Sequence, residues 1–411
     1  MSDAAPGHTA DGVEFVGYHD VDGKPVFKLA IQVVPSDSAG ERWYLYATHF
    51  WEPRLSIFDV TEPDDPRLVG AIEGPDHAAT WQVQVADGLL VQGMEHRPPA
   101  WGGDPAANAD EGIRLFDVAD PVSPKLLGQW RTGDHGVHRN HFTGGRYLHV
   151  TAGRRGFEGN IYVILDIADP RRPEEVAMWF LPEQYVAAGR VANTTRRISL
   201  HGPPYVLGDR AYLSYGAAGV VILDISDIEQ PRLVSRLDIG GAFSSMIAMH
   251  TVIPVPARNL LLVNTEAIAE RQQEAYNFAG IVNVSDEENP RLMSLLQIPE
   301  PAPGAPYPNF STRGGRFGPH NQHHPQGPGL FADDSMMFMT WFNAGLRVYD
   351  ISDAYLPREI AWYLPDDPTE RRGLLPKTLV TQSEDVLVDA RGNIFFSDKN
   401  HGLHIVRLIG R

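Results

Sequence analysis

The residues of this chain that are best suited to chemistry are its histidines. The 411-residue sequence contains 16 histidines and no cysteine, so a metal site would use imidazole and carboxylate groups rather than thiolates. Histidines recur at the predicted start of the innermost strand in four successive repeats, within residues 137–141, 200–203, 249–251 and 321–325. His201 and His250 each precede a matching valine by five residues. This recurrence predicts that imidazoles from four neighbouring repeats converge on one point.

We expect that point to bind one transition metal ion. The predicted ligands are His138, His201, His250 and His323, with His141 or His324 as substitutes where the register is open. A site of imidazole nitrogens suits iron, copper, nickel or zinc. Iron is favoured, with manganese, copper and zinc as alternatives. The competing interpretation is that these histidines are hydrogen-bonded residues of a channel or of a surface loop.

Two carboxylates, Glu95 and Glu266, are predicted to be catalytic. Both stand at the ends of second strands, which reach the same face as the starts of the innermost strands. A carboxylate beside a ring of imidazoles can act as a base, or can orient a ligand and fix its tautomer; otherwise it is a solvated loop residue. Further side chains expected around the pocket are His49, His96, His141, His324, Arg154, Tyr215, Trp341 and His401. Trp51, Trp101 and Trp341 are a possible apolar wall, and Glu384 and Asp385, at the start of the innermost strand of the seventh blade, are expected to face the channel.

The elements that must position these side chains are the strands of a repeat. A four-residue core phrase recurs at residues 57–60, 115–118, 164–167, 222–225, 281–284 and 348–351, with a degenerate seventh copy at 405–408. Most copies continue through a proline-containing turn into a short apolar run. The seventh copy lacks that run, and residues 14–18 supply a similar one near the other end. Pairing the first and last segments would close a ring and remove exposed sheet edges.

The sequence therefore predicts an all-β fold, a seven-bladed β-propeller closed by pairing residues 14–18 with residues 403–408. It predicts one domain over residues 1–411, with residues 1–12 as a flexible tail. Long connections, among them residues 95–111, 266–278 and 297–319, are expected on one face of the disc, and tight Asp-x-x-x-Pro turns on the other. Because long loops in compact domains are commonly functional, we expect function on the loop-rich face.

The repeat phrase resembles a known family. Residues 220–227 (VVILDISD) and 346–353 (LRVYDISD) are similar to the strands of LVIVD-repeat proteins. That resemblance covers nearly the whole chain and implies the propeller fold, but it implies little about activity. The architecture is also similar to that of carotenoid-cleavage oxygenases, which hold iron with four histidines from different blades, and of oligogalacturonate lyases, which hold manganese with histidine and glutamine. No motif is shared with either, so no residue assignment is carried over from them.

Composition narrows the function classes. The formal net charge of −17, without a basic stripe, disfavours nucleic acid and anionic membranes as partners. No apolar run reaches the ~20 residues of a membrane span, and the small, polar residues 1–12 do not resemble a signal peptide. We therefore expect a cytoplasmic protein with a small-molecule partner. The sequence does not indicate the oligomeric state.

Three functions are compatible with these features. The favoured one is a soluble metal-dependent oxidoreductase or oxygenase that acts on a small, partly apolar organic substrate. The second is a metal-dependent lyase or isomerase that uses the metal as a Lewis acid beside a loop base. The third is a non-catalytic propeller that binds protein through an exposed apolar patch.

Overall fold

The computed structural model describes residues 5–36, 40–104, 106–107, 109–189, 197–239, 245–325, 327 and 329–410. In this part of the chain, 28 strands form seven four-stranded antiparallel sheets, and the predicted seven-bladed β-propeller is confirmed. Residues 105 and 108 of the predicted long loop 95–111, and residues 190–196 of a further long connection predicted at 181–199, lie outside the described residues.

Two N-terminal strands precede the blades: β1 (His8–Asp11) and β2 (Val13–His19). Blade one contains β3 (Val26–Ser36), β4 (Gly40–His49), β5 (Arg54–Asp59) and β6 (Arg67–Glu73). Blade two contains β7 (Ala78–Ala86), β8 (Leu89–His96), β9 (Gly112–Asp117) and β10 (Lys125–Trp130). Blade three contains β11 (Val137–His141), β12 (Tyr147–Gly153), β13 (Asn160–Asp166) and β14 (Glu174–Trp179).

The remaining blades follow in chain order. Blade four contains β15 (Tyr205–Leu207), β16 (Arg210–Ser214), β17 (Val220–Asp224) and β18 (Arg232–Leu237). Blade five contains β19 (Ile247–Val255), β20 (Leu260–Glu266), β21 (Ala279–Asn283) and β22 (Arg291–Leu295). Blade six contains β23 (Met336–Thr340), β24 (Leu346–Asp350) and β25 (Arg358–Pro365), with β1 added outside β25. Blade seven contains β26 (Ser383–Val388), β27 (Asn393–Asp398) and β28 (Gly402–Leu408), with β2 as its outer strand.

The helical elements of the described residues are short. There is one α-helix, α1 (Phe310–Arg313), and the 3-10 turns are Val21–Gly23, Pro99–Trp101, Pro182–Gln184, Val186–Ala188, Pro256–Arg258 and Glu270–Gln272. All of them lie between strands, and most core side chains come from strands, with Phe310 of α1 and Val21 of a 3-10 turn joining them.

The repeated core phrase forms the third strand of each blade and is apolar because both of its faces are buried. In β17, Ile222 packs with blade five residues such as Leu261, whereas its neighbour Leu223 packs with blade three residues such as Ile164. Successive strand residues point to opposite faces, so each residue meets a different neighbouring blade. The aspartates after this phrase form turns as predicted: the Asp120 carboxylate accepts from Val122 N and that of Asp227 from Glu229 N.

Ring closure occurs where the sequence predicts it. Strand β2 pairs antiparallel with β28, with Val13 opposite Leu408 and His19 opposite Leu403. The expected flexible tail is corrected in part, because His8–Asp11 is strand β1, which pairs with β25 of blade six. The open edge of β25 offers hydrogen-bonding groups that a neighbouring extended segment can satisfy. Residues 1–4 lie outside the described residues.

Two nested deletions test this closure. Removing residues 1–20 eliminates β2 and exposes the edge of β28, so we expect Tm to fall by roughly 5 °C or more and aggregation to increase. Removing residues 1–12 takes away β1 but leaves blade seven complete, so the change in Tm is expected to be much smaller. Differential scanning calorimetry and light scattering measure both effects. An unchanged Tm in the longer deletion would contradict closure by β2.

Candidate metal centre

Four imidazoles from four adjacent blades meet near the propeller axis. His138 lies on β11, His201 precedes β15, His250 lies on β19 and His320 precedes β23. The ring centroids are 4.5 Å apart for His138 and His201, 5.1 Å for His201 and His250, and 5.1 Å for His250 and His320. The side chains are buried or nearly so. The expected convergence therefore occurs, with three of the four predicted rings.

The fourth ring is His320 and not the predicted His323. In blade six the innermost segment begins earlier than expected: His320 N donates to Thr340 O at 2.9 Å and His323 N to Phe338 O at 3.0 Å. Three residues of extended chain place His323 about 10 Å further along the channel. Both of its ring nitrogens are engaged there, because Nε2 donates to Phe331 O at 2.8 Å and Nδ1 accepts from Val388 N at 3.1 Å.

The alternatives His141 and His324 also lie deeper than the four rings. They flank Tyr205, at centroid distances of 5.4 Å and 4.6 Å, and their own centroids are 5.9 Å apart. The channel therefore contains a second histidine pair, separate from the four-ring cluster.

The carboxylate of Glu266 lies among the rings. Its Oε2 is 3.0 Å from His201 Nε2 and 3.6 Å from His250 Nε2, and its Oε1 is 3.7 Å from His320 Nε2. One ligand atom each from His201, His250 and Glu266 can be chosen so that all lie within 4.8 Å of one another, which would allow these residues to hold a metal ion. Glu266 thus faces the Nε2 atoms of three rings at once, whereas an orienting carboxylate bonds the far nitrogen of a single ring.

Hydrogen bonds at Nδ1 fix the orientation and the tautomer of two of these imidazole rings. His138 Nδ1 is 2.8 Å from Glu95 Oε1, and His320 Nδ1 is 2.7 Å from the carbonyl oxygen of Glu384. Oxygens of these kinds only accept from a ring, so each Nδ1 carries the proton and each Nε2 keeps a lone pair. The Nε2 of His138 is buried and has no hydrogen-bond partner among the described residues. Glu95 therefore occupies the orienting position that metal-bound histidines commonly have.

His250 is fixed in the same tautomer from both sides. Its Nδ1 is 2.7 Å from Thr251 Oγ1, and Arg139 Nη2 donates to its Nε2 at 3.4 Å. A guanidinium can only donate, so this Nε2 also carries a lone pair. His201 differs, because its Nε2 donates to Glu266 and its Nδ1 is buried without a described partner. A metal ion would replace the proton between His201 and Glu266.

The protonation states favour metal binding near neutral pH. Burial lowers the pKa of His201 to about 4 and lowers the pKa of His250 and His320 well below the ordinary value. Burial alone would raise the pKa of Glu266, but the hydrogen bond from His201 and the neighbouring rings hold it well below its ordinary value. At pH 7 the cluster therefore offers neutral imidazoles and an ionised carboxylate, the forms in which these groups bind metal.

Three buried cations surround the cluster. Arg316 Nη1 donates to Glu266 Oε1 at 3.0 Å, and Lys399 Nζ lies 2.7 Å from Glu384 Oε1. Burial lowers the pKa of Lys399 to about 8. Arg139, by contrast, bonds only the carbonyl of His138 and the ring of His250 in the described part of the chain.

A cavity of about 850 Å³ is lined by His138, His201 and His320 of the four rings, whereas His250 is fully buried and does not line it. Its walls come from the loop-rich face as predicted, including residues Glu95–Pro99 and Ser245–Ala248. Trp101 lines it together with Phe27, Phe50 and Trp81, but the predicted Trp341 is buried between blades and Trp51 packs behind Phe50.

Most of the other predicted pocket residues have structural partners elsewhere. His96 lines the cavity, with its Nε2 3.1 Å from Ala109 O. His49 is buried against Ser56, Arg154 pairs with Glu175, Tyr215 bonds Trp179 O and His401 bonds Asp366 O. A position at the end of a strand on the loop-rich face therefore does not predict that a residue lines the cavity, because the cavity borders only the part of that face nearest the propeller axis.

The sequence reasoning missed several members of the cluster. His320 was missed because sixteen positions separate it from the start of β23, whereas nine separate His201 from the start of β16. Arg316 lies in a blade-to-blade loop with no pattern that marks it. Arg139 follows His138 in an innermost strand, so its position beside the cluster could have been anticipated.

Buried histidines outside the cluster predict acid sensitivity. Burial lowers the pKa of His49 and His149 to about 3 and that of His141 to about 4. The unfolded chain protonates these groups near the ordinary histidine pKa of 6.5 and the folded chain does not, so their contribution to stability is full above that pH and is lost as pH falls below it. Each group contributes up to about 1.4 kcal/mol per pH unit.

The free energy of unfolding should therefore decrease from pH 7 to pH 5, where most carboxylates remain ionised. Urea titration at each pH measures it. Replacing His49 by glutamine, which keeps a polar partner for Ser56, should flatten the slope. A slope that is identical in wild type and variant would contradict a neutral buried His49.

Comparison with known proteins gives one family match and two similar solved structures. A family model described as the LVIVD repeat matches residues 205–239, which include blade four from β15 to β18. A computationally designed protein, Ika8, is similar in structure with a TM-score of 0.51 and 8% identity, over 96% of this chain and 100% of that one. A functionally unknown protein from Desulfotomaculum acetoxidans has a TM-score of 0.48 and 12% identity, over 80% of this chain and 83% of its own.

No curated protein matches the chain. Among the described residues, none of the helices has the length and apolar character that crossing a membrane requires. The resemblance drawn from the repeated phrase is confirmed by the match in blade four and by the seven sheets. The chain is a seven-bladed β-propeller whose fourth blade matches the LVIVD repeat.

Proposed function

We propose that this propeller is a metal-dependent enzyme whose metal ion binds between His201, His250 and Glu266, with His320 and His138 beside it. The observation that carries this proposal is the arrangement of Nε2 atoms. Those of His250 and His320 keep their lone pairs and lie within 3.7 Å of one carboxylate, while their Nδ1 atoms are anchored by hydrogen bonds. Water-filled channels do not require such anchoring, whereas metal sites commonly have it.

The donor set favours redox chemistry with iron. Two histidines and one carboxylate with further positions open are typical of non-haem iron(II) oxygenases. Such an ion, when bound, supplies activation of O2 or of a substrate oxygen. The surrounding residues would hold the substrate in the cavity above the rings, while the loops exclude water. We therefore propose an oxidoreductase that acts on a small, partly apolar organic molecule.

A lyase or isomerase is the second candidate, favoured by the Glu95–His138 pair. Glu95 fixes the Nδ1–H tautomer of His138, and the free lone pair on Nε2 lies in the cavity wall. A base held in this way could take a proton from a substrate, while a metal acting as a Lewis acid stabilises the resulting negative charge.

Oxygen consumption separates the two candidates. Chelator-treated protein is reloaded anaerobically with Fe(II), Mn(II) or Zn(II) and supplied with a panel of small organic compounds. An oxidoreductase should consume O2 only with a redox-active ion, and a Lewis acid enzyme should turn over without O2 and with Zn(II). Asp227→Ala, which alters a turn on the opposite face, is the control and should keep full activity. Lack of turnover with every ion would contradict the proposed enzyme.

A further inference from the structure

The cavity above the four-ring cluster has one apolar side and one charged side, which is lined by both arginines and glutamates. The apolar side is an aromatic wall formed by Phe27, Phe50, Trp81 and Trp101. Phe50 and Trp81 are stacked at 5.0 Å with an angle of 11°, and Trp101 lies 5.1 Å from Trp81. The aromatic wall reaches the four-ring cluster, because the centroid of the Phe27 ring is 6.0 Å from that of the His320 ring. An aromatic wall of this kind suits a flat apolar group.

The charged side includes a buried guanidinium that has no ion-pair partner among the described residues. Arg139 is 4% exposed and lines the cavity. Its hydrogen bonds go to the carbonyl of His138 and the ring of His250, and no described carboxylate lies within ion-pair distance of it. Arg316 and Lys399 differ in this respect, since each is paired with a glutamate. The carboxylates of Glu266, Glu95 and Asp385 act on Arg139 only from beyond ion-pair distance, so a ligand carboxylate in direct contact would compensate its buried charge more fully.

Arg139 connects the two parts of the site. Its guanidinium carbon is 5.8 Å from the centroid of Phe27, and its Nη2 donates to His250 Nε2. A metal ion on His250 Nε2 would remove that acceptor and leave the N–H group directed at whatever lies beside the metal. A planar guanidinium is well matched to a carboxylate, which it can bind through two parallel hydrogen bonds.

A second cation lies at the edge of the cavity. Arg97 is half-buried, its Nε has no hydrogen-bond partner among the described residues, and its one bond is a long contact of 3.4 Å from Nη2 to Ala78 O. It also has no ion pair with a described carboxylate. In a chain with a net charge of −17, two unpaired arginines in one cavity indicate an anionic ligand.

We propose that the cavity binds an aromatic carboxylate, with the acid group on Arg139 beside the metal and the ring against Phe50, Trp81 and Trp101. The substrate class named here rests on the proposed function, because the site is the same. A volume of about 850 Å³ accommodates a bicyclic acid, since ligand cavities of a few hundred to about 1,000 Å³ hold molecules of that size.

Three probes of graded chemistry test the proposal: 2-naphthoate, the neutral 2-naphthamide of nearly the same shape, and octanoate, which has the charge without the flat ring. Their binding to the full-length protein is followed by quenching of tryptophan fluorescence, both as purified and after chelator treatment. We expect naphthoate to bind at least about 10-fold more tightly than the other two, the difference that one charge-assisted contact supplies. The preference should persist without metal.

Two variants and a control make the assignment specific. Arg139→Gln should reduce the preference for naphthoate over naphthamide to within about 3-fold, Trp101→Ala should weaken both aromatic probes alike, and Arg171→Gln, on the exposed surface, should change neither. Equal binding of naphthoate and naphthamide, or an acid preference that survives Arg139→Gln, would overturn the carboxylate assignment. Equal binding of octanoate would overturn the aromatic part. If Arg139→Gln does not fold, the probe series on wild type still decides.

The two proposals can fail separately. A protein that takes up no metal yet prefers naphthoate after chelator treatment would contradict the metal-dependent function alone. A protein that takes up metal but does not distinguish acid from amide when stripped would contradict the aromatic carboxylate alone.

Discussion

Replacing His250 by alanine is expected to abolish stoichiometric metal binding while leaving the propeller folded. His250 lies between His201 and His320 in the arc of rings, and its Nε2 is 3.6 Å from Glu266. Loss of a ligand should lower affinity by more than the roughly 10- to 100-fold that loss of an orienting partner costs. Isothermal titration of chelator-stripped protein with Fe(II), Mn(II) and Zn(II) measures the affinity, and circular dichroism monitors the fold.

His323→Ala is the matched control for this variant. His323 is also a buried channel histidine, but its two ring nitrogens bond Phe331 O and Val388 N rather than facing the cluster. We therefore expect it to lose some stability and to keep its metal. Loss of metal in His323→Ala together with full metal binding in His250→Ala would show that the four-ring cluster is not the metal site.

The second large effect is expected from Glu266→Gln, compared with Glu95→Gln. Glu266 lies within 3.7 Å of three ring nitrogens, so the neutral amide should remove a ligand and leave Arg316 without its carboxylate. Glu95 contacts only the Nδ1 side of His138 among these rings, so Glu95→Gln should cost about 10- to 100-fold in affinity without abolishing binding. The same titrations compare the two variants.

The opposite ranking would change the assignment of roles. If Glu266→Gln bound metal like wild type but lost turnover, Glu266 would be a base rather than a ligand. If Glu95→Gln lost metal and Glu266→Gln did not, the ion would lie nearer His138 than we propose. Metal content and turnover are therefore measured on the same samples.

The fold could be predicted from the sequence because each blade repeats the same constraints. The third strand of each blade is buried on both faces, so phrases such as residues 222–225 are apolar. Counting these phrases in the sequence therefore gives the number of blades. The displaced run at residues 14–18 indicated the closing strand, and β2 pairs with β28 there. Strand β1 was missed because its burial is low, so its residues show no apolar alternation that would mark a strand.

The site could be predicted only in part, because its residues come from segments far apart in the chain. Histidines at equivalent positions identified His138, His201 and His250, since repeat geometry converts equal register into spatial proximity. In blade six the turn between the innermost segment and the second strand is longer than in the other blades. Counting back from the second strand therefore gave His323 instead of His320. Side chains that come from loops, such as Arg316, have no equivalent position in the other blades, so only the structure shows that they lie beside the cluster.

Metal content is the most direct test of the central claim. Full-length protein purified without an affinity tag is analysed by inductively coupled plasma mass spectrometry, and X-ray absorption is recorded at the edge of the metal found. We expect one transition metal ion per chain, with imidazole nitrogens at about 2.0–2.1 Å if the ion is zinc and loss of the ion in His250→Ala. A protein that contains no stoichiometric metal and takes up none of Fe(II), Mn(II), Cu(II) or Zn(II) would contradict the claim.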